Sequence, residues 1–230
     1  MSLIKAADLK KSYQSGDITV DAIRGVRFVI EAASFVSFVG PSGSGKSTLL
    51  NMIGCLDPPS SGSLEVAGQD VTRLTPRESA VFRGSHIGFV FQDFNLIPVL
   101  TVFENVEYPL LMVQNRPKEE RQKRVMELLD AVGMADQARK YPGQISGGQK
   151  QRVAVARALV TNAKLVLADE PTANLDRKSA ITVLEVMKKM RGEYGTTFIF
   201  STHDTRVMKT AETTFMLEDG LLQGQEVHNG

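Results

Sequence analysis

Cysteine is almost missing from this chain: Cys55 is the single one in 230 residues. One thiol cannot close an internal disulfide, which fits a reducing compartment. An excess of one charge is missing too, since 27 basic and 26 acidic residues leave a net charge of +1. That balance argues against a nucleic-acid binder led by bulk charge. The opening "MSLIKAADLKKSY" lacks the apolar stretch of a signal peptide. No run approaches the roughly 18 apolar residues of a membrane helix. Internal repeats and low-complexity segments are also lacking. What remains is 42% hydrophobic, enough for one large domain with a subdomain. The expectation is a soluble, cytoplasmic chain that reaches a membrane only through something else that anchors it.

The pattern along the chain is β, then helical, then alternating. "AIRGVRFVI", "FVSFVG" and "SLEVAG" are short β-rich runs separated by Gly, Ser and Pro turns. "FVSFVG" runs directly into "PSGSGKSTLLNMIG", giving strand, glycine loop and helix, and "IGFVFQ" is a further strand ending at Gln92. From about Thr101 to Ala158 the character is helical. "TVFENVEYPLL" opens on a Thr101/Glu104 capping box. "KEERQKRVMELLDAVG" sets Val125, Leu128, Leu129 and Val132 on one face, with a solvated charged face opposite and a stop near Gly133. After residue 164, "KLVLADE" is apolar up to its acids, as a parallel strand buried on both faces should be. "SAITVLEVMKKMRGEYG" reads as a helix, "TTFIFSTHD" and "TTFMLEDG" as strands, and "GQEVHNG" as a loose tail. The fold class is α/β. A sheet core spans 1–92 and 159–230, and a helical subdomain, 93–158, is inserted into it.

Four places carry chemistry. "GPSGSGKST" fits G-x-x-x-x-G-K-[ST] at Gly40, Gly45, Lys46 and Ser47. Its backbone N–H groups can wrap phosphate oxygens, so Gly40, Ser42, Gly43, Ser44, Gly45, Lys46, Ser47 and Thr48 form the expected nucleotide-binding loop. Lys46 should reach the β- and γ-phosphates and the Ser47 hydroxyl should ligate Mg²⁺. A plain Gly/Ser turn would share the composition but not the strand–loop–helix order. Downstream, Asp169 and Glu170 end "LVLADE", and alternation along a strand points them in different directions. One can hold Mg²⁺ and the other can polarise an attacking water. Gln92 can ligate Mg²⁺ or touch that water, although locally a solvated strand end is the better reading. Tyr13 and His203 are single residues for which packing and structural readings compete with base stacking and phosphate contact.

The fourth place is "ISGGQKQR". Ser146 and Gln149 form a capping box, yet Gly147 and Gly148 follow in the first turn, where each glycine costs about 1 kcal/mol relative to alanine. Bare backbone at a helix start suits a phosphate. The chain already has a phosphate loop, so this second anion site needs another owner.

In the order phosphate loop, "FQD", "ISGGQ", "LADEPTANLD" and "STHD", the chain resembles the ATP-binding subunit of an ABC transporter over nearly its whole length. "SGGQ" shortly before "LVLADE" is the specific part. The resemblance implies a phosphate-loop ATPase sheet core with an N-terminal antiparallel β subdomain and an inserted helical subdomain. It implies that Tyr13 stacks on adenine, that Gln92 links nucleotide to permease, and that Glu170 is the catalytic base. It also implies Mg²⁺ held by Ser47, Gln92 and Asp169, Asp176 in the dimer D-loop, and His203 on the γ-phosphate. Ser146, Gly147, Gly148 and Gln149 would bind the ATP of a second copy in a head-to-tail dimer, which answers whose phosphate the second site takes. The partners implied are that copy and a membrane permease at the cytoplasmic face of the membrane.

Within the family, "GPSGSGKSTLLNMIGCLDPPSSG" and "GFVFQDFNLIPVLTVFENVEYPLL" look most like the branch of lipoprotein-releasing systems and macrolide or peptide exporters. Family members that regulate cell-wall hydrolases without transport are the second reading. Soluble members of DNA repair or translation carry long coiled coils or paired ATP domains, which this sequence lacks, and a simple kinase would leave "ISGGQ" and His203 unexplained. Three departures stand out. Ile145 replaces leucine, Ala173 replaces a glycine frequent in the branch, and "EAAS" puts Ala33 in a turn that usually takes glycine. The apolar stretch Phe91–Leu111, broken by Pro98 and the Thr101 cap, is expected to expose Leu96 and Val99 beside a groove for a permease helix.

Overall fold

The computed structural model describes residues 1–16, 18–203 and 205–228, with residues 15, 205 and 206 described by backbone alone. In chain order its elements are β1 (Ser2–Ser15), β2 (Ile18–Glu31), β3 (Phe35–Val39), α1 (Lys46–Ile53), β4 (Ser61–Val66), β5 (Gln69–Asp70), α2 (Pro76–His86) and β6 (Ile87–Val90). Then follow α3 (Val102–Pro109), α4 (Lys118–Ala131), α5 (Gly147–Leu159), β7 (Leu165–Asp169), α6 (Arg177–Tyr194), β8 (Thr197–Thr202), α7 (Thr205–Met208), β9 (Thr213–Glu218) and β10 (Leu221–Val227). They form two units, Met1–Arg83 with Thr197–Gly230, and Gly84–Thr196.

The first unit holds an antiparallel sheet, β2-β1-β4-β5, and the strands β10-β9-β3-β8. Its chemistry of burial follows residue type. Along β2, Val26, Phe28 and Ile30 face inward between exposed Arg27, Val29 and Glu31, the alternation of a sheet with one wet face. In contrast, β3 and β8 are buried at every position, with Ser37, Thr197, Ser201 and Thr202 the polar residues among them, and β3 runs parallel to both β8 and β9. Phe28 meets Phe38 edge-on at 5.4 Å, and Phe38 stacks on Phe215 at 5.2 Å, so rings from β2, β3 and β9 fill one core.

Two strands escape the sequence reading. β1 breaks its alternation through register shifts near Asp8, which sits at φ 51, so no period of two is legible there. The "GQEVHNG" segment is no loose tail through Val227. Gly224–Val227 pair antiparallel with Thr213–Met216, and the exposed Gln225 and Glu226 are polar because β10 has a partner on one side only. The turn between β2 and β3 behaves as read: Ala33 takes the left-handed conformation at φ 57, while Ser34 Oγ donates to Glu31 O at 2.7 Å.

The second unit pairs β6 with β7 in parallel and carries α3 to α6. α5 is buried nearly all round, with Val153, Ala154, Val155 and Ala156 inaccessible. A Cβ on Gly88 would lie 2.1 Å from Ala158 O, so only glycine lets β6 approach α5 this closely. Val125, Leu128 and Leu129 form the buried stripe of α4. Thr101 caps α3 with Glu104 in the expected reciprocal pair. α3 ends at Pro109, where a π-helical turn over Leu110–Gln114 follows. "NLIPVL" is non-helical, and buried Asn105 holds it by accepting from Ile97 N and donating to the carbonyls of Ile97, Leu100 and Thr101.

Candidate functional site

The candidate residues divide between the units. Tyr13, residues 40–48 and His203 belong to the first; Gln92, Ser146–Gln149, Asp169, Glu170 and Asp176 belong to the second.

In the first unit β3 delivers the loop. Gly40 is forced by packing, since a Cβ there would fall 1.9 Å from Leu217 O. Gly45, at φ 103, would put a Cβ 2.5 Å from Ala22 O. Gly43, at φ 79, faces open space, so its glycine serves backbone conformation alone. α1 then starts at Lys46 with no side-chain cap and no acid in its first turn. Its first N–H groups therefore have no side-chain partner at a positive helix end. The Lys46 ammonium folds back onto the carbonyls of Gly40 and Pro41, both at 2.8 Å, within the same loop. Ser44 Oγ is buried without a hydrogen-bond partner. A buried orphan hydroxyl, an uncapped helix start and a lysine fastened inside the loop together fit a polyphosphate.

The register of β3 on β8 places His203. Val39 pairs with Thr202, so Gly40 and His203 leave the carboxyl edge of neighbouring parallel strands side by side. Tyr13 is 39% exposed, and its hydroxyl donates to Asp57 Oδ2 at 2.6 Å. Asp57 also accepts from Lys11, whose Nζ lies 4.9 Å from the Tyr13 ring centre. Burial alone would raise the Asp57 carboxyl, but hydrogen bonds from Lys11 and Tyr13 outweigh it and hold the group below its ordinary range. Burial and the bond to Asp57 push the Tyr13 hydroxyl up, against a smaller pull from Thr48. Lys11 and Asp57 were not singled out from sequence, because no period of two is legible along β1.

In the second unit β6 ends at Val90, so Gln92 lies two residues past the strand and not at its end. Ala168 pairs with Val90, which sends Phe91–Gln92 and Asp169–Glu170 off the same edge. Glu170 has already left β7 and sits at φ 46, so strand alternation does not set its direction relative to Asp169. A left-handed glutamate costs about 1–3 kcal/mol, a form of strain that gathers at functional sites. Two amides tie the two loops together. Asn174 Nδ2 donates to Gln92 O at 3.3 Å and to Asp93 Oδ1 at 2.8 Å, while buried Gln151 donates to Pro171 O at 2.8 Å and to Phe91 O at 3.5 Å. Neither amide is legible from sequence, because both partners lie far along the chain.

α5 begins as read. Ser146 Oγ accepts from Gln149 N at 3.3 Å, and Gln149 Oε1 accepts from Ser146 N at 2.8 Å. Ile145 is buried, so its volume is used as leucine's would be. Asp176 caps α6, accepting from Lys178 N, Ser179 N and Ser179 Oγ, and these bonds, the Ser179 hydroxyl first, lower its carboxyl below the ordinary range. Within the second unit Gln92 and Asp169 offer amide and carboxylate oxygens, donors of the kind a hard cation such as Mg²⁺ takes.

Comparison with known proteins supports the same chemistry. A family profile described as "ABC transporter" matches residues 23–173. An uncharacterized ABC transporter ATP-binding protein of Thermotoga maritima is 43% identical over 97% of this chain and 95% of its own length. The macrolide export ATP-binding/permease protein MacB of Nitrobacter winogradskyi is 44% identical over 96% of this chain, which spans only 34% of that protein. Among solved structures, the dimeric post-hydrolysis state of the ATP-binding cassette MJ0796, bound to ADP and Pi, superposes with a TM-score of 0.89 at 42% identity over 99% of both chains. The chain belongs to the ABC transporter family, as an ATP-binding cassette that uses ATP and Mg²⁺.

Proposed function

We propose that this ATPase subunit powers export or extraction of lipoproteins, peptides or drugs, as a head-to-tail dimer docked on a permease at the cytoplasmic face of the membrane. The observation that carries the dimer is the second bare helix start: α5 opens on two glycines behind its cap, although α1 already offers an uncapped start for one triphosphate. The dimeric MJ0796 cassette, at 42% identity, supports the same arrangement. The branch rests on relatives such as the macrolide export protein MacB, in which ATP-binding and permease parts share a name.

The roles follow from the side chains. Tyr13 stacks on the base. The backbone N–H groups of Gly40, Ser42, Gly43, Ser44 and Gly45 bind phosphate oxygens, and Lys46 leaves its carbonyl partners for the β- and γ-phosphates. Ser47, Asp169 and Gln92 would hold Mg²⁺, which would supply positive charge against the phosphate oxygens. Glu170 accepts the proton of the attacking water, and His203 donates to the γ-phosphate. Ser146 and Gly147 face the partner copy's γ-phosphate. Val99, 78% exposed, belongs with Leu96 to the surface on which a permease helix docks.

Glu170→Gln keeps shape and removes the base, a change worth about 10² to 10⁴ in rate. It is expected to bind Mg-ATP, turn over very slowly and accumulate as a dimer in size-exclusion chromatography with ATP. A monomeric variant, or one with wild-type turnover, sinks the assignment. Leu96→Glu and Val99→Glu are expected to keep the ATPase of the free subunit and to lose co-purification with the permease. Unchanged co-purification moves the docking surface elsewhere.

A further inference from the structure

Lys11 is a nearly buried cation with no part in the chemistry described so far. It is 8% exposed in β1, and its ammonium spends one N–H on Asp57 and another on Pro58 O at 2.7 Å. Asp57 divides its two oxygens between Lys11 and the Tyr13 hydroxyl. The same ammonium lies 4.9 Å from the Tyr13 ring centre, within the roughly 6 Å over which a cation attracts a ring face. Tyr13 is thus held twice, at its hydroxyl by Asp57 and at its ring by Lys11, while 39% of it stays exposed.

The anchor itself is fastened to the phosphate loop's helix. Asn51, in α1, accepts from Leu56 N at 2.9 Å and from Asp57 N at 3.3 Å. Lys46 opens that helix, which at 1.5 Å per residue is about 12 Å long. Asp57 therefore stands at a fixed distance from the loop residues, and it sets the Tyr13 hydroxyl at that distance too. A tyrosine with two free side-chain dihedrals would lose rotamer freedom on stacking; one already fixed loses less.

We infer that Lys11 and Asp57 are positioning residues that fix the Tyr13 ring for the nucleotide base, so that base and phosphates are recognised at a set separation. This rests on Tyr13 being the base-stacking residue of the proposed function. A purely structural role would tie β1 to the segment after α1 and would weaken every ligand of the loop alike.

The test compares the non-hydrolysable ATP analogue AMP-PNP with inorganic tripolyphosphate, which has no base, by titration calorimetry on the full chain. Lys11→Met is expected to weaken AMP-PNP about three- to tenfold, the range of an ordered cation–ring contact, and to leave tripolyphosphate within twofold. Lys11→Arg is expected to retain most of the nucleotide affinity. In a Tyr13→Ala background Lys11→Met should add nothing. An unchanged AMP-PNP affinity, an equal loss for tripolyphosphate, or an undiminished effect in the Tyr13→Ala background overturns the inference. Asp57→Asn keeps shape and repeats the comparison if Lys11→Met does not fold, with the same ligand-selective loss expected and the same results overturning it. Tyr13→Ala alone separates the two readings. If it binds AMP-PNP as wild type does, base stacking by Tyr13 fails; if it binds weakly while Lys11→Met binds normally, only the positioning role fails.

Discussion

Ala33 and Glu170 share a backbone conformation for opposite reasons. Both are left-handed, at φ 57 and φ 46, where a Cβ costs about 1–2 kcal/mol. Ala33 lies in an exposed turn, far along the chain from the acids at the end of β7. Ala33→Gly should remove that cost and lose about 0.4–1 kcal/mol through a freer unfolded chain, a net gain of up to about 1.6 kcal/mol. Urea unfolding measures it, and a lower midpoint contradicts the account. This strain was legible in the sequence, because "EAAS" places alanine where a turn needs glycine. The strain at Phe94 and Asn95, φ 62 and φ 46, was not legible: Arg157, some sixty residues on, holds both carbonyls, and no local pattern announces such a partner. Cys55 is a third residue-scale case. Burial pushes its thiol up to about 11, so the nucleophilic thiolate is scarce at pH 8. Iodoacetamide should label it only after denaturation, and rapid labelling of the native chain would contradict its burial.

At the scale of elements the start of α5 changes meaning. Its two glycines invite a phosphate reading, but the neighbouring helix asks for one of them as well. A Cβ on Gly148 would come 2.8 Å from Ser179 Cβ in the first turn of α6, whereas one on Gly147 would come no closer than 3.3 Å, to Leu175 Cδ2. Gly148 is thus required by packing, and Gly147 is the residue left open to an anion. Gly148→Ala should lose about 1–3 kcal/mol to overpacking. Part of that loss should return when Ser179→Gly removes the atom it strikes, although Ser179→Gly alone is harmful because it takes the hydroxyl from Asp176. A double-mutant cycle in urea reads the coupling, and strict additivity would mean the two helix starts do not press on each other. The elements legible from sequence were those with one buried stripe or a reciprocal cap, such as α4, α3 and α5. Those that escaped lacked a regular buried stripe: α2 has a reciprocal Thr75/Glu78 cap but buries no residue, β1 is interrupted by bulges, and β10 is a polar edge strand.

For the whole molecule, the order of motifs along the chain carried more than any one of them, because together they marked an ATP-binding cassette. The consequence is a stability that depends on ligand. A nucleotide at about 100 times its Kd adds about 2.7 kcal/mol to a folded state that alone binds it. For a chain of this size each kcal/mol moves Tm by about 2–4 °C, so Mg-ATP should raise it by about 5–10 °C. Lys46→Ala should lose most of that rise, because its ammonium is the loop's one cation for the phosphates. A Glu170→Gln variant adds a second signature. If ATP holds it as a dimer, its Tm with Mg-ATP must climb with protein concentration, since association stabilises by mass action, while without nucleotide it must not. Thermal unfolding across a hundredfold range of protein concentration decides this. A full ligand shift in Lys46→Ala removes the phosphate loop from the account, and a concentration-independent Tm in Glu170→Gln with Mg-ATP removes the sandwich dimer.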